Sequence, residues 1–220
     1  MSVLTRGGLH EIKPQAYRDH PAALGFALAV MAEAWAKCRG LILWCLTRAA
    51  AQEWGRPYGP GLARVGLDPA RLLIVEARTA DDAGWALEEG LKSGALAASV
   101  AQVEIKTPLA ARRLGLAAQA SRTPCLLLSG HKGAGLPGTL TRWRVSTARS
   151  GPALLDKSAP GLSSWRLVLE RCRGAAPEQS FRVEFSNESD RLRVAAASCD
   201  RAAEPGEGGG TRRDGHSRTG

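Results

Sequence analysis

The sequence predicts an α/β fold with a mostly parallel central sheet flanked by helices, antiparallel strands toward the C-terminus and a disordered tail. First, short apolar runs alternate with helical segments over roughly the first 130 residues, which is typical of a parallel sheet covered on both faces. Second, later segments alternate apolar and polar residues with a period of two, as antiparallel strands with one solvated face do. Third, residues 196–220 offer almost nothing to bury.

Five apolar runs predict the parallel strands. The run "LILWCLT" at 41–47 is continuous, so it fits a strand that is buried on both faces. The other runs predict strands at 9–12, 72–75, 95–105 and 124–129.

Helical segments fill the intervals between these strands. Asp19 and Pro21 mark a helix start, and apolar residues at helical spacing extend that helix over 22–37. Further helices are predicted to end at Val65, to cover 79–94 and to begin near Pro108.

The pattern changes after "GHKGAGLPG" at 130–138, which is predicted to be a flexible loop. In the segments that follow, Trp143 and Trp165 occupy apolar positions of a period-two alternation, and the first segment is expected to continue the main sheet. These segments lie at 139–146, 163–174, 179–186 and 190–195. The chain therefore divides into a core at 1–138, strands at 139–195 that complete or extend the core sheet, and a tail at 196–220.

Length, net charge and cysteine spacing restrict the classes of protein to which the chain can belong. The chain has 220 residues, 44% of them hydrophobic, which is enough for one sizeable core. A formal net charge of +9 favours contact with nucleic acid or another acidic partner, although a coding bias toward arginine is the alternative. No C-x-x-C pair occurs, so Cys45 and Cys125 are expected to be buried hydrophobes rather than metal ligands. No signal-peptide pattern or membrane-length apolar run occurs, which leads us to expect a cytoplasmic protein.

The sequence contains no recognisable catalytic or phosphate-binding motif. The string G-x-x-x-x-G-K-[ST] is absent, and Lys13, in the loop "KPQAYRDHP", is interpreted as a solvated loop lysine. "GHKGAG" is rich in glycine but leads into Pro137 rather than into a helix. The four histidines do not cluster, and Glu88 and Glu89 fit a solvated helix face.

Arginines along the later strands are the candidate contacts with DNA or a partner. Residues 139–195 hold ten Lys or Arg and six Asp or Glu, and arginine next to aromatic residues suits single-stranded nucleic acid. The alternative is that the tryptophans belong to the core and the arginines merely occupy the solvated face. The candidates are Arg142, Arg144, Arg166, Arg171 and Arg173.

A collinear set of segments resembles the ImuA family, RecA-like accessory proteins of bacterial SOS mutagenesis. The set comprises "LHEI", "LILWCLTR", "GLDPARLLIVEA", "EEGLKSGALAASVAQVE", "ARRLGLAAQA", "TRWRVS" and "WRLVLERCRG", and it covers roughly residues 8–195. No single motif is diagnostic. This chain departs from its relatives in having little sequence before "LHEI".

The resemblance implies a RecA-like core whose ATP site has been lost. Where a RecA strand ends in a metal-linked aspartate, this chain places Gln102, and where a glutamate would activate water it has Arg48. The loop after Ile12 also lacks the glycines, lysine and hydroxyl residue that hold nucleotide and Mg²⁺. The resemblance therefore implies a protein with no catalytic residue, no cofactor and no metal.

The same resemblance implies a non-enzymatic part of a translesion synthesis complex. The expected partners are an ImuB-like Y-family polymerase relative, a C-family error-prone polymerase and RecA itself. The arginine-rich later strands separately predict weak, non-specific contact with single-stranded DNA. Two other classes stay open at this point. One is a divergent RecA-like DNA-dependent ATPase or recombinase, and the other is a SulA-like cell-division inhibitor.

Overall fold

The computed structural model describes residues 3–38, 40–153, 156–174, 179–186 and 191–198. Their strands form one nine-stranded sheet in the order β3-β2-β4-β5-β1-β6-β7-β8-β9. The strands are β1 (Gly8–Pro14), β2 (Leu41–Thr47), β3 (Leu72–Ala77), β4 (Leu96–Gln102), β5 (Pro124–Leu128), β6 (Thr141–Thr147), β7 (Ser163–Cys172), β8 (Gln179–Ser186) and β9 (Arg191–Ser198). The helices are α1 (His20–Cys38), α2 (Arg48–Trp54), α3 (Gly59–Ala63), α4 (Ala80–Lys92) and α5 (Pro108–Ala120).

Strand β6 joins the parallel and antiparallel halves of the sheet. It runs parallel to β1, with His10 opposite Thr141, and antiparallel to β7, with Trp143 opposite Leu169. The expectation that the first of the later strands continues the main sheet is confirmed. Residues 139–195 therefore share one sheet with the core rather than folding beside it.

Helices cover both faces of the parallel part of the sheet. Helix α1 packs with residues of α2 and α3 in one apolar cluster, whose centre includes Phe26, Trp44 and Leu126. Helices α4 and α5 pack on the opposite face in a second cluster around Leu87 and Leu127. Because each parallel strand contacts both clusters, the continuous apolar runs of the sequence are explained.

The tryptophans of the later strands belong to the core. Trp143 and Trp165 are 3% and 6% exposed, and both rings lie about 6 Å from the ring of Phe26 in α1. The alternative interpretation of the Trp–Arg strands is therefore correct for these two residues, which cannot stack on bases. The arginines lie on the other face of β6 and β7, which no helix among the described residues covers.

Three features differ from the sequence-based expectation. Helix α2 was not predicted, and it begins where Thr47 Oγ1 accepts a hydrogen bond from the Ala50 N–H. Glu88 is buried rather than solvated, because Lys92 and Arg113 pair with its two oxygens at 2.8 and 2.7 Å. Strand β9 continues to Ser198, three residues into the segment expected to be disordered. The rest of that segment, residues 199–220, lies outside the described residues.

No helix within the described ranges is both long and apolar enough to cross a membrane.

Two glycines of α4 provide a matched test of packing against the sheet. A methyl group at Gly90 would overlap Cδ2 of Leu43, which is fully buried, whereas one at Gly84 would meet Ile105 Cδ1 at an ordinary 3.7 Å. We expect Gly90→Ala to lower the free energy of unfolding by roughly 1 kcal/mol, the net of overpacking and improved helix propensity. Gly84→Ala should raise it by about 0.5 kcal/mol. Urea unfolding monitored by circular dichroism measures both, and equal effects would contradict the packing described for α4.

Candidate functional site

A cleft opens at the carboxyl ends of the central parallel strands. Its volume is about 500 Å³, and its walls come from the ends of β1, β2, β4 and β5, the segment before α1, helix α2 and the loop after β5. Open α/β sheets bind their ligands at this edge, because strand ends and helix N-termini converge there. The cleft is therefore the place where the fold would hold a nucleotide.

The backbone ahead of α1 is already occupied by a carboxylate of the chain itself. Asp19 lies at the end of a 3-10 helix (Tyr17–Asp19) that leads directly into α1. Its Oδ2 accepts from the Ala16 N–H at 3.1 Å, and its Oδ1 accepts from the N–H and hydroxyl of Thr147 at 3.1 and 2.7 Å. A phosphate bound near this point would meet a buried negative charge rather than free N–H groups.

These hydrogen bonds also decide the charge state of Asp19. Burial by itself would raise the pKa of the carboxyl group, but the bonds from Thr147 and Ala16 outweigh burial and lower the pKa below its usual value. The group is therefore ionised at neutral pH and ties the β1–α1 connection to the last residue of β6.

Lys13 is a second charged residue whose side chain bonds to other parts of the chain. Its interpretation from the sequence as a solvated loop lysine is wrong. It lies within β1, is 1% exposed, and donates from Nζ to the carbonyls of Lys132 and Gly133 at 3.1 and 2.7 Å. Burial lowers the pKa of its ammonium group, with Glu11 opposing that effect. The lysine is directed at the backbone of the 130–138 loop and is not free to hold a phosphate.

A buried ion pair fastens the same loop to β1 and β6. Glu11 is 1% exposed and accepts from Arg142 Nε at 2.8 Å, from the Ser129 hydroxyl at 2.9 Å and from the Leu136 N–H at 3.0 Å. Arg142 also donates to the Leu136 carbonyl at 2.8 Å. The loop that was predicted to be flexible is thus anchored at several points. Gly135, at a φ of +79°, leaves the space that the Arg142 guanidinium fills.

An aromatic group forms the wall of the cleft nearest α2. The rings of His20 and Trp54 stack with centroids 3.9 Å apart, and the Tyr17 ring lies 4.8 Å from Trp54. The Tyr17 hydroxyl donates to Glu53 at 2.9 Å, which raises the pKa of the phenol. Burial lowers the pKa of His20, with the charge of Glu53 opposing it, so the imidazole is largely neutral near pH 7.

The two positions singled out as lost catalytic residues lie where the resemblance implied, at the ends of β4 and β2. Gln102 is 5% exposed, and its carbonyl oxygen accepts from Trp44 Nε1 at 2.9 Å. Arg48 is exposed at the start of α2 and directs its positive charge toward Glu76, whose pKa is lowered chiefly by a hydrogen bond from Arg56. Gln102 lines the cleft, whereas Arg48 is not among its lining residues.

The five candidate arginines separate into three groups. Arg142 is paired with Glu11, and Arg144 donates to Glu170 at 2.6 Å and to the His131 carbonyl at 3.1 Å. Arg171 and Arg173 lie at or just beyond the end of β7, whereas Arg166 lies near its start. The register places Arg142 opposite Arg171 and Ser146 opposite Arg166, so the candidates do not form one continuous patch.

Polar groups at the wall of the cleft could bind a polar ligand. Two buried polar atoms at its wall, His20 Nε2 and Gln102 Nε2, have no hydrogen-bond partner in the described part of the chain. Within the same residues, no three His, Cys, Asp or Glu side chains lie together as a candidate metal site. Both Cys45 and Cys125 are buried, and burial raises the pKa of these thiols to about 12 and about 11. They are therefore protonated and unreactive at neutral pH.

Sequence reasoning missed Asp19 as a site residue and assigned it only to the helix start. The sequence contains one signal for its role, an aspartate directly before a helix in place of the usual glycines. The partner that completes the site is Thr147, which lies 128 positions away, and no local pattern connects the two residues.

The chain is similar in sequence to curated proteins. Two curated relatives, each called Protein ImuA and each from a strain of Caulobacter vibrioides (NA1000 / CB15N and ATCC 19089 / CIP 103742 / CB 15), are 31% identical to the chain. The matches cover 79% of this chain and 73% of each relative. No family model matches the chain.

Among solved structures, the RadB recombinase superposes with a TM-score of 0.59 at 11% identity, over 87% of this chain and 92% of RadB. This likeness shows that the fold is RecA-like and shows nothing further. SulA from Pseudomonas aeruginosa gives a TM-score of 0.42 at 22% identity, over 56% of this chain and 97% of SulA. That second match is too weak to support an argument.

The role of Asp19 predicts a specific dependence of stability on pH. Because its pKa is lower in the folded chain, the carboxylate contributes stability above its unfolded pKa of about 4, and the contribution is lost as pH falls through the folded value. We expect Asp19→Asn to lower the free energy of unfolding by about 2 kcal/mol at pH 7, with the difference from the unsubstituted chain shrinking toward pH 3. Urea unfolding at a series of pH values measures this difference.

The control is Glu104→Gln, which removes an exposed carboxylate at the end of β4 and should change stability by less than about 0.5 kcal/mol. A pH-independent effect of Asp19→Asn would show that its charge is not what the fold uses.

Proposed function

The chain belongs to the ImuA family, and from this we propose that it is a non-catalytic accessory protein of SOS-induced, error-prone translesion DNA synthesis. Its degenerate RecA-like domain would hold together a mutagenic polymerase complex. The partners we propose are an ImuB-like Y-family polymerase relative, a C-family error-prone polymerase and RecA. Fold alone does not establish such a role, so the proposal depends on the state of the nucleotide cleft and on the family.

The observation that carries the proposal is that the groups needed to hold phosphate are engaged within the fold. Asp19 accepts from the Ala16 N–H ahead of α1 and from the Thr147 N–H, and Lys13 donates to the carbonyls of Lys132 and Gly133. Binding a triphosphate would require removal of a buried carboxylate from three hydrogen bonds, and the phosphate charge would repel the same group. These hydrogen bonds hold the segments around the cleft together without a ligand, which suits a scaffold better than an ATPase.

The first test is ATP turnover by the purified protein with and without single-stranded DNA. We expect no hydrolysis above the level of a buffer blank in either condition, because neither Gln102 nor Arg48 supplies the chemistry. A RecA-like ATPase assayed in parallel provides the positive control. Turnover that copurifies with the chain and disappears in Lys13→Ala or Lys132→Ala would contradict the proposal.

A scaffold also needs an exposed surface that a partner can cover. Trp85 on α4 is 64% exposed, and Leu109 on α5 is 68% exposed. Between the two helices lies a cleft of about 240 Å³ that Trp85, Ile105 and Leu114 help to line. Charged side chains line the cleft as well, among them Asp81, Lys106 and Arg113. A large exposed aromatic beside a depression of mixed character is typical of a site that dominates binding to a protein partner. We propose this α4–α5 face as the surface for the ImuB-like partner.

The second test of the proposal is a quantitative pull-down with the ImuB-like partner. We expect Trp85→Ala to weaken the complex by at least tenfold, which corresponds to about 1.4 kcal/mol, because a buried indole would be lost from the interface. Tyr58→Ala is the matched control, since Tyr58 is 71% exposed and lies beside α3, on the other face of the sheet. Equal weakening by both variants, or by neither, would rule out the α4–α5 face.

A further inference from the structure

A second cleft, which no sequence motif indicated, lies beyond the end of β6 and is lined by arginines. Its volume is about 670 Å³, and its walls include Arg18, Arg149, Arg166 and Arg182. The carboxylate among its lining residues is Asp19, whose two oxygens already accept three hydrogen bonds. We call this feature the arginine cleft, and its charge is strongly positive.

The arginines come from separate segments that the fold brings together. Arg18 precedes α1, Arg149 follows β6, and Arg166 and Arg182 lie on β7 and β8. The register places Arg166 directly opposite Arg182. Like charges at directly opposed positions of neighbouring strands are destabilising, so this pair costs the folded chain stability unless an anion lies between them.

The arginine cleft differs from the neighbouring part of the sheet face in having fewer carboxylates than arginines among its lining residues. Arg144, two strand positions before Ser146 on β6, has its own carboxylate in Glu170 at 2.6 Å. Arg18, Arg149 and Arg166 form no salt bridge within the described residues. Glu184 approaches Arg182 only to 3.9 Å, between side chains that are 30% and 42% exposed, and a pair of this kind is weak.

Hydrogen bonds hold the side chain of Arg182 in place within the arginine cleft. Arg182 donates from Nε to the Ser164 hydroxyl at 3.3 Å and from Nη2 to the carbonyl of Arg149. These bonds fix the guanidinium beside Arg166 and link β8 to the turn after β6. Phe181, next in sequence to Arg182, directs its ring to the opposite face of the sheet, where it lies 6.1 Å from the ring of Trp143, so the cleft wall at this position is backbone.

We propose that the arginine cleft binds the phosphodiester backbone of single-stranded nucleic acid. Planar guanidinium groups match phosphate oxygens, and several of them without carboxylates favour a ligand that carries repeated negative charges. A positively charged groove that follows the backbone is one of the features that single-stranded sites use, and the flexible strand can bring successive phosphates to cations on different segments. The choice of nucleic acid over other polyanions rests on the proposed function in DNA synthesis, whereas the argument from charge does not.

The test is fluorescence anisotropy with a labelled oligothymidylate over a range of salt concentrations. The double variant Arg149→Gln/Arg166→Gln removes two phosphate contacts and leaves the hydrogen bonds of Arg182 in place. Counterion release predicts that the slope of log affinity against log salt falls by about 1.4 and that affinity at 0.1 M salt falls about 25-fold. The melting temperature of the variant should not decrease, since the opposition between Arg166 and Arg182 is relieved.

The control is Arg171→Gln/Arg173→Gln, which removes the same charge at the other end of β7 and should leave affinity within about twofold. Equal losses in the two double variants would overturn the proposal, because only net charge would then matter. Absence of binding by the unsubstituted chain at low salt would overturn it as well. If polyglutamate of matched charge competes as well as the oligonucleotide does, the site is for an acidic peptide and the phosphate assignment is wrong.

Two further measurements keep the outcomes separate. If the double variant fails to fold, Arg149→Gln alone, at an exposed position outside the strands, should still lower the salt slope by about 0.7. The pull-down with the ImuB-like partner should be unchanged in the arginine variants. Failure of that pull-down with the unsubstituted chain would count against the scaffold role without affecting the arginine cleft. Absence of DNA binding by the unsubstituted chain, with the pull-down intact, would count against the arginine cleft alone.

Discussion

The carboxylate of Asp19 is the constraint on which the rest of the structure depends. It lies in the 3-10 helix that leads into α1, and it accepts hydrogen bonds from Ala16 on one side and from Thr147 on the other. One side chain therefore closes the turn ahead of α1 and joins it to the strand where the parallel sheet becomes antiparallel. The backbone bond from Gln15 N–H to the Val145 carbonyl at 2.7 Å reinforces the same joint. A bound phosphate, if present at this point, would leave that joint dependent on ligand concentration, whereas a covalently attached carboxylate makes it permanent.

A second set of charges stabilises the loop after β5 in a related way. Glu11 and Lys13 are alternate residues of β1, so both point toward the same face of the sheet, and both are almost fully buried. Glu11 holds Arg142 and the Leu136 N–H, while Lys13 holds the carbonyls of Lys132 and Gly133. Removing one partner of such a group leaves a buried charge uncompensated, which typically costs about 3–5 kcal/mol, so the network acts as a unit. In this fold, charged side chains of the nucleotide-binding edge have become structural.

Much of the fold could be predicted from the sequence because it depends on local periodicity. The apolar run of β2 and the alternation around Trp143 and Trp165 identify strands without reference to any distant residue. The states of Lys13 and Glu88 could not be predicted in this way. A lysine in a polar segment is usually solvated, and here the acceptors that bury it lie 119 and 120 positions away. Glu88 was assigned to a solvated face because its second partner, Arg113, lies on the following helix. Local sequence patterns predict helices and strands. Whether a charged side chain is buried and paired depends on which helices, strands and loops pack against one another.

The same reasoning explains why one residue type has different roles on one sheet face. The sheet extends past β6 with α1 on one side only, so alternate positions of β6 and β7 must be polar, and arginine fills several of them. Whether each arginine is structural or available is then decided by register. Arg142 and Arg144 have Glu11 and Glu170 within reach and are neutralised, whereas Arg166 lies opposite Arg182 and forms no salt bridge within the described residues. A single shift in register would exchange buried and exposed side chains along the whole strand, so the positions of the charges are fixed as firmly as the core. The unpaired positive charge at the end of β6 is therefore a consequence of the strand register, and a ligand with negative charge can use it without any rearrangement of the sheet.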